Sequence, residues 1–462
     1  MPHVTETPIP GLLLLELPVH GDNRGWFKEN WQREKMIAAG LPDFGPVQHN
    51  ISFNGAIGTT RGIHAEPWDK LVSVATGRIF GAWVDLRAGA TFGTVFTAEL
   101  DAARAIYIPR GVGNAYQTLE PDTAYSYLVN EHWSSSASYT FLNLADESIA
   151  VDWPIPLQDA ELSDKDRSHP RLTAVAPLAP RRTLVLGAAG QLGTALRETI
   201  PTAEFATRDH IDLSDSGCFD HIHWPDYDVV INAAAYTAVD AAETAQGRAA
   251  AWAINVTATA ALARIATEHR LTLIHISSDY VFDGTTAPHP ETEPASPLNV
   301  YGQTKAAADA IVSTVPRHYI VRTSWIIGEG ANFVRTMASL AERGSSPSVV
   351  NDQVGRLTFA SDLAAGIRHL IATRAAFGTY NVTNAGQPQS WAAIAQRIFE
   401  LTGHDAARVT GVESAEYFAT AQGAPRPLNS VLDLTKIEAT GFRARDADVA
   451  LREYLGRGGV RD

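Results

Sequence analysis

A chain of 462 residues is longer than one ordinary hydrophobic core organises, so two or three domains are expected. Hydrophobic residues at 45% against 19% charged suit packed domains and exclude an intrinsically disordered chain. A net charge of −14 argues against general nucleic-acid binding, which needs clustered Lys and Arg, yet leaves room for a nucleotide held by a few local donors.

The single cysteine, Cys218, excludes an internal disulfide framework and a Cys-based zinc site; it reads as a small buried residue. The apolar run from Leu12 to Leu15 has no basic segment before it, and Glu16 and Pro18 cut it short. It reads as neither a signal peptide nor a membrane span, so a cytoplasmic protein with no membrane partner is the expectation.

Residues 1–168 read as all-β. Short apolar runs at 71–75, 78–85, 94–98, 105–108 and 124–129 are punctuated by Gly77, Gly89, Pro109, Gly111 and Pro121. Many short strands with turn signals mean a sandwich or a barrel. One short helix is expected near 31–39. Residues able to do chemistry fall in three places: Asp22 to Glu29; Arg61-Gly-Ile-His64 with Lys70 beyond it; and Glu161 to Asp166. A histidine beside a carboxylate is an oriented general base, and a nearby lysine can stabilise an enolate oxygen. Spacing alone does not pair His64 with Asp166, and a lone histidine in a β domain is commonly structural.

In order and wording these motifs resemble the nucleotide-sugar 3,5-epimerases that act on dTDP-4-dehydro-6-deoxyglucose. Thr91-Phe-Gly93, Ile108-Pro-Arg-Gly111 and Val151-Asp-Trp-Pro154 extend the match. The resemblance implies a cupin-type jelly roll, usually dimeric. It implies His64 as base, Asp166 as its partner and Lys70 at the keto oxygen. It further implies Arg24 and Arg61 on the diphosphate, with Phe27, Glu29 and Asn50 nearby. Two positions depart from the family. Asn114 stands where a His is usual, and Trp133 falls where the alignment expects the acid tyrosine. An indole is no practical proton donor. Tyr116, Tyr125, Tyr127, Tyr139 or a water is left to substitute; otherwise the domain epimerises one centre or only binds. No metal is expected, because His64-Ala-Glu66 lacks the second His of a His-x-His ligand pair.

Residues 169–180, rich in Pro and Ala, read as a semi-extended linker. Residues 181–462 then alternate strand and helix, the pattern of a parallel sheet covered on both faces. An apolar run enters Gly187-Ala-Ala-Gly190-Gln191-Leu192-Gly193, a strand, tight turn and helix N-terminus suited to a pyrophosphate. Asp212-Leu213 comes about 20 residues later, where an acidic residue meets the adenosine half of a dinucleotide. Arg208 is either a contact for a 2′-phosphate or a plain surface charge. A strand at 228–232 leads into Ala233-Ala234-Ala235-Tyr236, small residues that permit close approach to a cofactor. A helix is expected at 242–266 and a strand at 271–276.

Ser277-Ser278 and Tyr301-Gly-Gln-Thr-Lys305 complete the set. Tyr and Lys four apart share one helical face, the Lys charge is expected to lower the Tyr pKa, and Ser278 holds the substrate oxygen. This half resembles the extended short-chain dehydrogenases, specifically the dTDP-4-dehydrorhamnose reductases. Asn232-Ala-Ala-Ala-Tyr-Thr-Ala-Val-Asp240, Ser277-Ser-Asp-Tyr-Val-Phe-Asp-Gly284 and Arg426-Pro-Leu-Asn-Ser430 carry that resemblance. It implies a Rossmann fold with a smaller C-terminal substrate-binding part, NADPH or NADH as cofactor, and Trp325, Asn332 and Arg426 near the substrate. The whole chain then reads as a bifunctional enzyme of dTDP-L-rhamnose synthesis, a homodimer through its jelly roll. The alternatives are a reductase whose first domain makes another deoxysugar or serves assembly, and a cofactor-sensing scaffold.

Overall fold

The computed structural model describes residues 2–134, 137, 139–418 and 423–458. The chain divides into two compact units, Met1–Pro180 and Arg181–Asp462.

The first unit is two antiparallel sheets. One has six strands in the order His3–Glu6, Leu13–Glu16, Arg104–Ile108, Lys70–Thr76, Thr123–Val129, Gln48–Asn54. The other has five, Thr140–Phe141, Thr60–Ala65, Val112–Thr118, Ile79–Asp85 and Val95–Leu100. Val72, Val74, Trp83, Ile106, Val112 and Tyr125 meet between them in one buried cluster. This is the jelly-roll architecture expected. The expected short helix is Arg33–Ala38, capped by the Gln32 side chain. The run at Leu12–Leu15 is strand and turn, with Leu12 and Leu15 wholly buried, which accounts for its apolar character.

Residues 169–180 are not a free tether. Val175 is buried in the first unit's core, Leu178 pairs with Leu86 and Ala88 through its backbone, and the Leu172 amide donates to Asp146. Pro-rich chain can pack as an edge segment without making a regular strand.

The second unit has a six-stranded parallel sheet, ordered Glu204–Ala206, Arg182–Leu186, Tyr227–Asn232, Thr272–Ser278, His318–Thr323, Gly378–Asn381. Separate buried clusters pack against its faces, one around Leu262 and Leu273, the other around Leu363, Ile367 and Leu196. A third, around Phe399 and Ile398, is the core of the C-terminal part.

The helix expected at 242–266 is interrupted. Ala245–Trp252 is α-helical, Ala253–Thr257 is a π turn, and Ala258–Glu268 resumes the α-helix. The run Ala245–Glu268 is long and apolar enough to cross a membrane by length and composition, but Leu262, Ala263 and Ala266 bury that apolar face in the sheet core.

Candidate active sites

In the first unit, strand Thr60–Ala65 carries His64. Phe141 lies directly opposite it on Thr140–Phe141 and meets the imidazole edge-on, with ring centres 5.5 Å apart. Ser163 caps the helix Asp164–Arg167, and Asp166 sits in its first turn. That turn brings Asp166 Oδ1 to 2.9 Å from His64 Nε2, a contact between residues 102 apart in sequence. Burial alone would raise the Asp166 carboxyl, but the hydrogen bond from His64, with Ser163 adding to it, holds it below the usual carboxylate range. With Nε2–H donated to Asp166, Nδ1 is the nitrogen free to take a proton.

His169 belongs to the same cluster and was missed in the sequence. Its ring centre is 5.3 Å from that of His64 and 4.8 Å from Phe141, and its Nε2 is 3.8 Å from Asp166 Oδ1. Burial, with the His64 charge adding to it, lowers its pKa. Its place three residues beyond Asp166, at the helix exit, was the available signal. His64, Asp166 and His169 are the one His/Asp/Glu/Cys group among the described residues close enough to hold a metal ion.

Lys70 opens the strand Lys70–Thr76 and is buried. It is ion-paired with Glu66, and its Nζ lies 5.0 Å from the centre of the Tyr127 ring. Tyr127 is in register with Asn50 on one side and Val72 on the other. Arg61 donates from Nε to Asn54 Oδ1, which also accepts from the Tyr116 hydroxyl at 3.3 Å. Burial raises the pKa of Tyr127. Lys70, Tyr127 and Asn50 therefore lie on three adjacent strands of one sheet, and Arg61 reaches the third of them from the other sheet.

Trp133 does not join them. It is 62% exposed, and its amide donates to Gln48. Trp133 comes four residues past the strand that carries Tyr127, and the phenol whose ring lies 5.0 Å from Lys70 Nζ is that of Tyr127. Asn114 is satisfied internally: its Oδ1 accepts from the Trp83 indole and its Nδ2 donates to the Tyr125 hydroxyl. Arg24, Phe27 and Glu29 belong to or come just after the hairpin Val19–Asp22 and Gly25–Lys28, which among the described residues pairs only with itself. Arg24 is bonded to Asp22, Glu29 to Lys35, and Phe27 is 68% exposed.

In the second unit the Gly-rich turn ends in Gly190, the N-cap of helix Gln191–Thr199. Gly187 has φ +79°, and a Cβ there would fall 2.7 Å from the Ala234 amide nitrogen. At Gly193 a Cβ would fall 2.4 Å from the Gly187 carbonyl oxygen. The turn thus packs against Ala233 and Ala234 as only glycines allow, and the open first helical turn offers N–H groups to an anion. Leu192 is buried and anchors the helix, while the Gln191 amide reaches the Ala331 carbonyl at 3.4 Å. This backbone cradle fits a dinucleotide diphosphate. Asp212 is bonded to Ser214 and Arg208, and Leu213 is buried in the sheet core, so its side chain packs rather than faces a ligand.

Ser278 closes strand Thr272–Ser278. Its hydroxyl donates to Asp279 Oδ1 at 2.8 Å and accepts from the Tyr280 amide at 3.2 Å. Tyr301 and Lys305 lie on helix Val300–Val312, capped by Asn299. The Lys305 ammonium donates to the Ile276 carbonyl at 2.6 Å and stands 3.3 Å from His275 Nε2. Burial lowers Lys305 to about 8. Burial raises the Tyr301 pKa, and the neighbouring Ser278 side chain offsets only part of that. The lowering expected from Lys305 is not found: burial dominates, and the side chains acting on Tyr301 are Ser278, Asp279, Tyr280 and Asp309. Burial also lifts Asp279 to about 6.

The π turn places Asn255 where its Oδ1 accepts from the Tyr236 amide and its Nδ2 donates to Tyr236 and Thr304, tying the turn after Ala235 to the Tyr301 helix. Sequence reasoning missed Asn255 because a π insertion has no compositional signature. Trp325, with φ +42°, stacks on Trp391 at 3.8 Å. Asn332 caps helix Phe333–Glu342 and donates to the Tyr454 hydroxyl, so its side chain is committed to structure. Arg426 is paired with Asp240 at 2.8 Å.

Residues 181–458 match the family model described as RmlD substrate binding domain, and residues 6–174 match that of dTDP-4-dehydrorhamnose 3,5-epimerase. The first part is similar to "Protein RmlC homolog" of Streptococcus pyogenes, 49% identical over 180 residues, covering 37% of this chain and 90% of the relative. The second is similar to a dTDP-4-dehydrorhamnose reductase of Aggregatibacter actinomycetemcomitans, 35% identical, covering 59% and 97%. Among solved structures, the Bacillus anthracis dTDP-4-dehydrorhamnose reductase in complex with NADP aligns with TM-score 0.55 at 31% identity, covering 60% of this chain and 99% of that one.

Proposed function

Because the chain belongs to the RmlD substrate binding domain family over residues 181–458 and to the dTDP-4-dehydrorhamnose 3,5-epimerase family over residues 6–174, we propose that it performs two consecutive steps of dTDP-L-rhamnose synthesis. The first unit epimerises dTDP-4-dehydro-6-deoxy-D-glucose at C3 and C5. The second reduces the C4 ketone with NAD(P)H. The observation that carries this reading is the presence on one chain of a His–carboxylate pair in a jelly roll and a Ser–Tyr–Lys set beside a glycine cradle.

In the first step a C4 ketone acidifies the protons at C3 and C5, so one base serves both. His64 takes the proton through Nδ1, and Asp166 stabilises the imidazolium that forms. Lys70 neutralises the enolate oxygen. Tyr127, beside Lys70, returns a proton from the opposite face; it fills the acid role that Trp133 cannot. Arg61 and Asn50 hold the substrate.

In the second step Tyr301 gives its proton to the C4 oxygen while Ser278 holds that oxygen and Lys305 stabilises the phenolate. NAD(P)H, when bound, supplies the hydride. The cradle of Gly187, Gly190 and Gly193 holds its diphosphate, Ala233 to Tyr236 line its approach, and Arg208 meets a 2′-phosphate. Arg426 and Trp325 contact the nucleotide sugar.

The first unit dimerises. Strand Gln48–Asn54 ends its sheet, and it turns the apolar side chains of Ile51 and Phe53 outward, 65% and 63% exposed, as a strand that another copy covers would. The self-paired hairpin, tied to the sheet by Lys28 and carrying the exposed Phe27, contributes to that contact. Incubation of the full chain with dTDP-4-dehydro-6-deoxy-D-glucose and NADPH tests the reading. It predicts dTDP-L-rhamnose as the product; consumption of NADPH with a D-configured or otherwise different sugar would sink it.

A further inference from the structure

His275 lies in the middle of the second unit's sheet and is 1% exposed. Its two ring nitrogens face two different partners. Nε2 stands 3.3 Å from Lys305 Nζ, and Nδ1 stands 3.4 Å from the side-chain amide of Asn232, its register neighbour on the adjacent strand. Asn232 is itself 2% exposed and immediately precedes Ala233, whose backbone packs on Gly187.

An ammonium only donates, so Nε2 must be the acceptor in this contact, and the ring proton must be on Nδ1. That proton needs an acceptor of its own. As placed, the Asn232 amide turns its nitrogen to Nδ1, and its Oδ1 has no hydrogen-bond partner although buried. Rotating the amide by 180° turns Oδ1 to the Nδ1 proton and gives each of those two atoms a partner. The outcome is one continuous chain from Asn232 Oδ1 through neutral His275 to the Lys305 ammonium. The charged groups around it are Lys305 and Asp309 on helix Val300–Val312, and Arg322 on strand His318–Thr323, which is bonded to Asp309. Burial, reinforced by the Lys305 charge, holds His275 well below the ordinary imidazole range, so it stays an acceptor.

We propose that His275 is a positioning residue for reduction: as a neutral acceptor on Nε2 it fixes the ammonium of Lys305, one helical turn from Tyr301, and through Nδ1–H it ties that ammonium to Asn232 at the head of the cofactor-facing turn. A purely packing histidine would need neither nitrogen. Here, among the described residues, each is the side chain offered to a buried group that otherwise lacks a side-chain hydrogen bond: Lys305 has one further hydrogen bond, to the Ile276 carbonyl, and Asn232 Oδ1 has none. The inference rests on the reading that Lys305 supports Tyr301.

The test uses the full chain and reads reductase kcat and its pH profile with NADPH, with dinucleotide binding followed by fluorescence to confirm that the cradle is intact. His275→Leu and His275→Asn both remove the acceptor at the Nε2 position. Each is expected to lower kcat about tenfold or more, the loss of a hydrogen bond to a charged group. Each should also move the alkaline limb of the profile to lower pH by about one unit, because an ammonium without its acceptor deprotonates earlier. His275→Gln restores an acceptor at that reach and should keep the limb within about 0.3 unit of the parent. A folded His275→Leu or His275→Asn protein with parental kcat and an unmoved limb overturns the proposal, as does a His275→Gln protein that fails as badly as His275→Asn. Lys305→Met separates the two readings. If it retains full turnover, the role of Lys305 itself is wrong; if it abolishes turnover while the His275 variants are normal, only the role of His275 is.

Discussion

Lys70 and Tyr127 sit side by side on paired strands, the ammonium nitrogen 5.0 Å from the centre of the phenol ring. A cation beside a phenol places an acid next to the group suited to neutralise an enolate. Tyr127→Phe is expected to reduce epimerisation at least ~100-fold, the lower range for a lost general acid. Trp133→Phe, at an exposed site, should change it by less than about threefold. Product formation from the 4-keto sugar, followed by NMR, distinguishes these, and the reverse order of effects would return the acid role to the Trp133 segment.

In the proposed reaction the pH dependence of reduction follows from Lys305. Its folded pKa of about 8 lies below the ordinary 10.5 because burial penalises the charge. The ammonium is the active form, so kcat/KM should fall as pH rises through about 8. The stability sign is opposite to that of a stabilised lysine. The cost of burying the charge is fully present below the folded pKa and is relieved as pH rises from about 8 toward 10.5. Lys305→Met should therefore unfold at a higher urea concentration than the parent at pH 7, with the gap narrowing by pH 10. A gap that widens instead would contradict the assignment.

Gly187→Ala tests the cradle. The new Cβ meets the Ala233–Ala234 backbone at 2.7–2.8 Å, and the positive φ adds strain. NADPH affinity should drop at least ~10-fold and stability by about 1–3 kcal/mol. Calorimetric binding with parental affinity would show that this turn does not shape the dinucleotide site.

Ile51 and Phe53 test assembly. Phe53→Asp together with Ile51→Asp should convert a dimer to a monomer in light scattering while leaving the reductase reaction within about twofold. A parental protein that is already monomeric would remove the proposed interface.

Much of this architecture was legible in the chain. The alternating runs around Val72 and Val84 and the glycine turn at Gly187 to Gly193 each specify local structure through burial and backbone sterics, and those elements appear where the residues demand them. What stayed hidden depends on register and on distant packing. His64 and Asp166 are separated by 102 residues, and only the return of the chain through the Ser163 cap joins them. The sequence offered Tyr116, Tyr125, Tyr127 and Tyr139 alike, and the closeness of Tyr127 to Lys70 depends on the packing of neighbouring strands. Asn255 and His275 look like ordinary polar residues in apolar segments. Their roles arise from a π turn and from a sheet neighbour. The Pro-rich stretch misled because composition reports the lack of a helix or ladder, while Val175 and Leu178 still found an apolar surface to cover.

The most direct test of two sequential reactions on one chain is proton exchange in D₂O. The full chain is incubated with dTDP-4-dehydro-6-deoxy-D-glucose without dinucleotide, and the C3 and C5 proton signals are followed. Loss of both signals, abolished by His64→Ala and succeeded on addition of NADPH by conversion to dTDP-L-rhamnose, is the predicted result. Retention of both signals in the parental protein would contradict it and leave the second unit to reduce a ketone made elsewhere.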